Sequence, residues 1–424
     1  MGRAFRRTHQ IFRDYAGPLL IGLGVALIWA NLFPASYELW MQTPWIDLPG
    51  VGRVSWEWLV NDVFMTFFFG VVTAHVVSTF ARLGSMRDVV AYAFTPFLAM
   101  TFGVVFPAGL YLAAVFFLGH PEWARGFGIV TATDIALAWL GARIALGARH
   151  PAISFLLLVA IGDDIVSMLV IAFFYPRPDR NFIPEALLWV LGAIVVARLL
   201  SRTFPEQWVF TTLVAGCLSW YGLFHAGLHP ALALVPIVPF LPFSSIPTIG
   251  SGDPSSNASP STSEEKVGLR GDVSKMPGEG DSPLERFARS LSGPVDDGLF
   301  LFALANGGVA FSHVGVLSGV IALSLLFGKV AGIYAAGRLT EAVGWLRAVG
   351  FNRFSLFLIA LSSASGLTVS LFVADAAFAH DFALKSEAKA GALFSLAFVA
   401  LAAFLGRFRN SGCRDLPADD REGT

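Results

Sequence analysis

Two neighbouring carboxylates stand in the apolar run Leu158-Val159-Ala160-Ile161-Gly162-Asp163-Asp164-Ile165. An acidic side chain at the centre of a membrane-inserted helix costs about 2.5–3.5 kcal/mol on insertion scales, so each one asks for a partner or a function. Successive residues of a helix project about 100° apart. Asp163 and Asp164 can therefore face different surroundings, one a neighbouring helix and the other a cavity. A buried carboxyl group favours its proton, and a nearby cation favours the ionised form. A pair set between those two influences can hold a proton or a small cation. The plainer alternative is that both acids are tied up in helix packing.

Three other runs carry polar groups where apolar ones are expected. Val130-Thr131-Ala132-Thr133-Asp134-Ile135-Ala136 joins hydroxyls, small residues and an acid. This suits an interrupted helix whose freed carbonyls and side-chain oxygens ligate an ion, although Ser and Thr also serve ordinary helix–helix packing. Lys329, in Leu325-Leu326-Phe327-Gly328-Lys329-Val330-Ala331-Gly332, lies too deep to reach an interface easily. It needs a carboxylate, and Asp163 or Asp164 is the natural one; misplaced span ends would instead let it reach the interface. Ala364-Ser365-Gly366-Leu367-Thr368-Val369-Ser370 is again small and polar within an apolar stretch. Interrupted segments at corresponding places in two halves of a chain point to an inverted-repeat transporter.

The elements that position these groups follow from composition. Of the 424 residues, 55% are hydrophobic and 14% charged, against about 25% charged in soluble domains; mean hydropathy is +0.66. The solvent for most of the chain is lipid. A net charge of −1 argues against a nucleic-acid partner. Cys217 and Cys413 cannot build a disulfide framework, and Cys217 reads as a small core residue. A helix needs roughly 20 apolar residues to span. Twelve segments qualify, near 17–33, 57–80, 89–118, 124–143, 151–175, 184–200, 207–220, 224–242, 287–311, 315–337, 353–374 and 385–406. The short 207–220 run makes eleven the competing count. The basic N-terminus before 17–33 resembles a signal peptide, but Pro34-Ala35-Ser36 is a poor cleavage site. The fold class is thus an all-α polytopic membrane protein, with spans 1–8 in residues 1–242, a linker over 243–284, spans 9–12 in 285–406 and a tail over 407–424. Spans 3–5 and 10–12 would form the repeats, with the interrupted spans 4 and 11 crossing.

Most of the 29 Lys and Arg fall in the termini and alternate loops. Only Arg53, Arg125, Arg177, Arg180, Lys385 and Lys389 fall in the opposite loops, so both termini and the linker are expected in the cytoplasm. The linker, with its run Pro254-Ser255-Ser256-Asn257-Ala258-Ser259-Pro260, lacks the apolar side chains to order itself.

Together these motifs resemble the bacterial NhaA-type sodium/proton antiporter family. The likeness rests on Ala132-Thr133-Asp134-Ile135-Ala136 followed about thirty residues later by Asp163-Asp164. Supporting it are Val60-Asn61-Asp62, Phe67-Phe68-Phe69, Gly227-Leu228-His229, Ser282-Pro283-Leu284-Glu285-Arg286, Ala305-Asn306-Gly307-Gly308-Val309, Gly328-Lys329 and Gly366-Leu367-Thr368-Val369-Ser370. The resemblance covers about residues 15–405, broken by the linker. It implies a sodium site lined by Asp164 and Thr133, an Asp163 that alternates between protonation and pairing with Lys329, and Asp134 and Lys329 as counter-charges to the broken helices, with Gly366, Thr368 and Ser370 at the second break. It also implies electrogenic exchange of sodium or lithium for protons in a bacterial inner membrane, with no cofactor, and a homodimer through 34–56.

One departure bears on regulation. The family's acidic residue and Lys-Arg-Glu at the cytoplasmic end of the second span are replaced here by His75-Val76-Val77-Ser78-Thr79. That puts alkaline activation in doubt and leaves His75 and His229 as candidate pH-responsive groups. A same-fold carrier of another solute, or one with altered pH regulation, is the nearer alternative. An intramembrane aspartyl protease would want Gly-x-Gly-Asp and Tyr-Asp; Ala160 stands at the first glycine, and no span holds Tyr-Asp. His225 and His229 lack a third zinc ligand.

Overall fold

A computed structural model describes residues 16–48, 52–82, 86–148, 150–177, 181–243, 282–342 and 352–412. Most of the 243–284 linker, the first fifteen residues and the end of the tail lie outside them. In lipid every backbone polar group must be bonded within the chain, and apolar runs of this length accordingly become helices. They are α1 (Gly17–Leu32), α2 (Pro34–Gln42), α3 (Trp56–Ala81), α4 (Met86–Leu118), α5 (Ile135–Leu146), α6 (Ala152–Phe174), α7 (Leu187–Thr203), α8 (Trp208–Ala226), α9 (Pro283–Asn306), α10 (Val316–Ala342), α11 (Arg353–Ser363), α12 (Thr368–Ala377) and α13 (Phe382–Phe408). A 3₁₀ segment, Pro121–Val130, precedes α5. Between α2 and α3, β1 (Ile46–Leu48) and β2 (Gly52–Val54) pair antiparallel, with Asp47 opposite Arg53.

Starts and stops follow local chemistry. Ser55, Asn352 and Asp381 cap α3, α11 and α13 through their side-chain oxygens, and Ser282 with Glu285 forms a capping box on α9. Gly227 ends α8 at φ 76°, where a side chain would be strained.

Seven described helices are long and apolar enough to cross a membrane, nine if each of two bent pairs is one span. Three of the twelve expected spans differ, each for its own reason. The first, α1, has 16 residues in its described helix. The expected span 224–242 is not a continuous helix: α8 runs on to Ala226, and the chain then forms short 3₁₀ turns at Pro230–Leu232 and Val238–Phe240. Pro230, Pro236, Pro239 and Pro242 each remove a backbone donor there. The ninth, α9, carries Glu285, Arg286, Arg289, Asp296 and Asp297 along its length.

The helices fall into two packed sets. In one, α9 lies against α1 and α3, and α7 against α8; in the other, α4 packs on α6 and α10, and α5 and α11 pack on α13. Small residues allow the close approaches: a Cβ on Gly328 or Gly332 of α10 would meet the backbone of Pro107 or Phe102 in α4 at 2.3 and 2.2 Å. The outside is apolar, with Phe116, Phe117, Phe173, Leu188 and Phe404 exposed, as a lipid-facing surface requires. Cys217 is on this outside too. It is not the core residue its apolar setting suggested, because in lipid the apolar face of a helix turns outward as readily as inward.

Candidate ion site at the helix crossing

Two breaks meet at the centre of the second set. The first, over Thr131–Asp134, bends Pro121–Val130 against α5 by 58°; the second, over Ala364–Leu367, bends α11 against α12 by 43°. Backbone groups freed at one break are satisfied by the other. The Asp134 N–H donates to the Ser365 carbonyl at 2.6 Å and Ser370 Oγ to the Ile129 carbonyl at 2.6 Å, while Thr133 Oγ1 lies 3.1 Å from the Ser363 carbonyl oxygen. Gly366 makes the approach possible, since a Cβ there would sit 2.9 Å from the Ala132 carbonyl oxygen and 2.7 Å from Ser370 Oγ.

Each charge has a defined place. The Asp134 carboxylate caps two helices at once: Oδ1 accepts from Leu137 N at 3.1 Å in α5, and Oδ2 accepts from Thr368 N at 3.3 Å and Thr368 Oγ1 at 2.5 Å in α12. Both are helix N-termini, which carry partial positive charge. Lys329 is its counterpart: Nζ donates to the carbonyls of Thr131 and Ala132 at 2.6 Å each, just past the C-terminal end of Pro121–Val130. The same ammonium lies 3.2 Å from Asp163 Oδ2, and Thr133 Oγ1 donates to that oxygen at 2.6 Å. Asp163 and Lys329 are fully buried, and Asp164 is 4% exposed. Among the described residues the other Asp163 oxygen, Oδ1, has no hydrogen-bond partner. None is seen for Asp164 among them either. Carboxylate oxygens without donors are the kind of ligand a hard cation takes.

The model of the family described as "Na+/H+ antiporter 1" matches residues 12–406. This chain belongs to that sodium/proton antiporter family. It is 39% identical over 399 residues to "Na(+)/H(+) antiporter NhaA 2" of Pelobacter propionicus, covering 94% of this chain and 97% of the relative. It is 41% identical over 404 residues to "Na(+)/H(+) antiporter NhaA" of Geobacter metallireducens, covering 95% and 98%. The protein of that name from Desulfitobacterium hafniense is 38% identical over 402 residues, covering 95% and 96%.

The remaining expected site residues of this antiporter-family chain lie away from the crossing. His229 stands beside Asp62, Nδ1 to Oδ1 3.7 Å, with the Phe372 ring at 4.6 Å. Arg177 Nη1 donates to the same carboxylate at 3.2 Å, so Asp62 belongs to an ion-paired contact. His75 lies on the exposed face of α3. Among the described residues no group of three or more His, Cys, Asp or Glu could hold a metal ion.

Sequence reasoning missed a second charged centre. Lys385 and Lys389, counted as loop residues, are inside α13 and mostly buried. Lys385 Nζ lies 2.9 Å from Asp375 Oδ1 and 3.8 Å from Glu57 Oε1; Lys389 Nζ lies 3.6 and 3.9 Å from the same atoms. Asn61 Nδ2 donates to Asp375 Oδ2 at 3.2 Å and pairs with Asn306 through its amide. The available signal was the i,i+4 spacing of the two lysines and an acid in the apolar run of α12.

Proposed function

We propose that the protein is an electrogenic antiporter that exports sodium, or lithium, in exchange for protons, a secondary transporter and not an enzyme. The observation that carries this is the meeting of Asp163, Asp164, Lys329 and Thr133 at the crossing of two broken helices. The reading takes the fold as twelve spans with an inverted repeat, spans 3–5 against 10–12, placed in a bacterial inner membrane with both termini in the cytoplasm. Asp164 and Thr133 would bind the sodium ion, joined by the Asp163 oxygen that lacks a donor. Sodium binding requires both carboxyls ionised. When protons take them instead, the site loses its negative charge, sodium leaves, and Asp163 releases Lys329. Proton and cation thus exclude one another, and alternating access carries the site between the two faces.

With His75 in place of the family's acidic residue, we propose an altered pH response in which His75 and His229 take part. A homodimer through residues 34–56, which include the β1–β2 hairpin, completes the reading.

The test is sodium-induced dequenching of a pH-sensitive dye in everted vesicles. Asp164→Asn should insert and fold yet lose exchange. Robust sodium-dependent proton movement in that variant refutes the site.

A further inference from the structure

The second charged centre joins the two helix sets. Glu57 and Asn61 belong to α3 and Asn306 to α9, in the first set; Asp375 belongs to α12 and Lys385 and Lys389 to α13, in the second. Every ion pair named here except Lys–Asp375 crosses that boundary, and so do the bonds from Asn61 to Asp375 and from Lys389 Nζ to Asn306 Oδ1, 3.4 Å. The joint is built of charges and amides. It borders a cavity of about 460 Å³ lined by Glu57, Lys385 and Lys389 together with Tyr37, Glu38 and His313. Two ammonium groups, Lys385 and Lys389, face two lining carboxylates, Glu38 and Glu57, so the cavity presents no excess of either charge. Glu57, Asp375, Lys385 and Lys389 keep 8–23% of their side-chain surface exposed and border a cavity, so they can rehydrate as they part, at less cost than a fully sealed pair, whereas interlocked apolar side chains resist displacement. Asp375 also lies seven residues after Thr368 on the same helix, about 10 Å along its axis. A shift of the crossing therefore moves one half of the joint.

Resting on the antiporter reading above, we propose that Glu57, Asp375, Lys385 and Lys389 form the gate on the non-cytoplasmic side of the exchanger. The ionic latch is closed in this structure and parts when the crossing turns outward. Lys385 and Lys389 stand in the first two turns of α13, which begins at Phe382, and the alternation of basic loops puts the start of that span on the outer side, which sets the side on which the gate acts.

A ligand shifts a two-state equilibrium only by its differential affinity, and weakening one state's contacts shifts it the same way from the protein's side. Glu57→Gln combined with Asp375→Asn weakens the closed state. Sodium titrations of exchange in right-side-out and everted vesicles should then diverge: the half-saturating sodium concentration falls at least threefold when sodium enters from the outer face and rises when it enters from the inner face. Equal shifts on both faces, no shift, or the opposite asymmetry overturn the gate. Loss of exchange in the unmodified protein overturns the antiporter reading instead. A second measurement covers a double variant that fails to fold. In a Cys217→Ser, Cys413→Ser background, Glu57→Cys and Lys389→Cys are joined by a cleavable bismaleimide. Exchange should fall at least tenfold while linked and return on cleavage; a linked carrier that runs at its unlinked rate refutes the latch.

Discussion

Lys329 offers the sharpest test of the energetics at the crossing. It is fully buried, with one ammonium group serving Asp163 at 3.2 Å and two carbonyls at 2.6 Å. Lys329→Met keeps most of the side-chain volume and removes the charge. Breaking a buried ion pair from one side costs about 3–5 kcal/mol, and each carbonyl left without a donor adds about 1–3 kcal/mol unless the backbone relaxes. Asp163 can limit its share by taking a proton, so the total should fall at about 4–7 kcal/mol. Adding Asp163→Asn removes the stranded carboxylate but not the stranded carbonyls, and should restore about 2–3 kcal/mol. Asp163→Asn alone leaves the ammonium on its two carbonyls and should cost less than Lys329→Met. The assay is unfolding of the purified carrier in mixed micelles by rising dodecyl sulfate, read by fluorescence of its 11 tryptophans. A double-mutant cycle gives the coupling directly. If the single costs add to within about 0.5 kcal/mol, Lys329 and Asp163 do not depend on one another and the argument fails.

Three further outcomes test single features. Gly366→Ala sets a methyl group 2.9 Å from the Ala132 carbonyl oxygen, so the two breaks must separate; stability should drop by about 1–3 kcal/mol and exchange in everted vesicles should fall with it. Asp134→Asn keeps an acceptor for the Leu137 N–H but turns its amide N–H toward the Thr368 N–H, leaving a buried donor unpaired; stability should fall by about 1–3 kcal/mol, and, with the charge facing two helix N-termini removed, exchange should fall several-fold. His150, before α6, accepts from the Ala152 N–H through Nδ1 at 3.2 Å, and burial holds its pKa below the ordinary 6.5. Its neutral form therefore stabilises the fold above about pH 6.5, and that contribution is lost as pH falls through the lowered value. His150→Gln should flatten the acid limb of the stability profile measured in the same micelles, and an unchanged acid limb would show that His150 is not responsible.

The crossing was legible because misfit residues marked it. An Asp or Lys inside an apolar run is costly unless it is paired, so Lys329 had to find Asp163 or Asp164, and the fold gives it Asp163; Thr133, Gly366 and Thr368 marked breaks because hydroxyls and glycine are poor filling for a lipid-facing helix. What escaped reading was where hydropathy and architecture part company. Residues 224–242 are apolar enough to span, but four prolines turn them into short 3₁₀ pieces. Lys385 and Lys389 looked like loop charges at the edge of an apolar run, and only the fold brings Glu57, more than 300 positions earlier, within 4 Å of both. Charges near the end of a span are ordinary by sequence; their partners on other helices decide whether they are solvated or buried.

On the exchange proposed above, the charges at the crossing set how much charge one transport cycle would move. A helix end carries about half an elementary charge. Asp134, bonded to the N-termini of α5 and α12, offsets about one positive unit there. The facing C-terminal ends carry about one negative unit, which Lys329 offsets from its seat on the Thr131 and Ala132 carbonyls. These terms nearly cancel and leave Asp163 and Asp164, two negative charges when both are ionised. One sodium ion neutralises half of that; a proton on each acid neutralises all of it. Exchanging two protons for one sodium ion therefore moves one net charge per cycle. In proteoliposomes clamped with valinomycin and potassium, the exchange rate should change with the imposed membrane potential, and the potential that halts exchange should shift by the full sodium gradient. Exchange that ignores the clamp would mean that only one of the two acids cycles its proton. Asp163 would then be a fixed partner of Lys329, and Asp164 alone would carry both ions in turn.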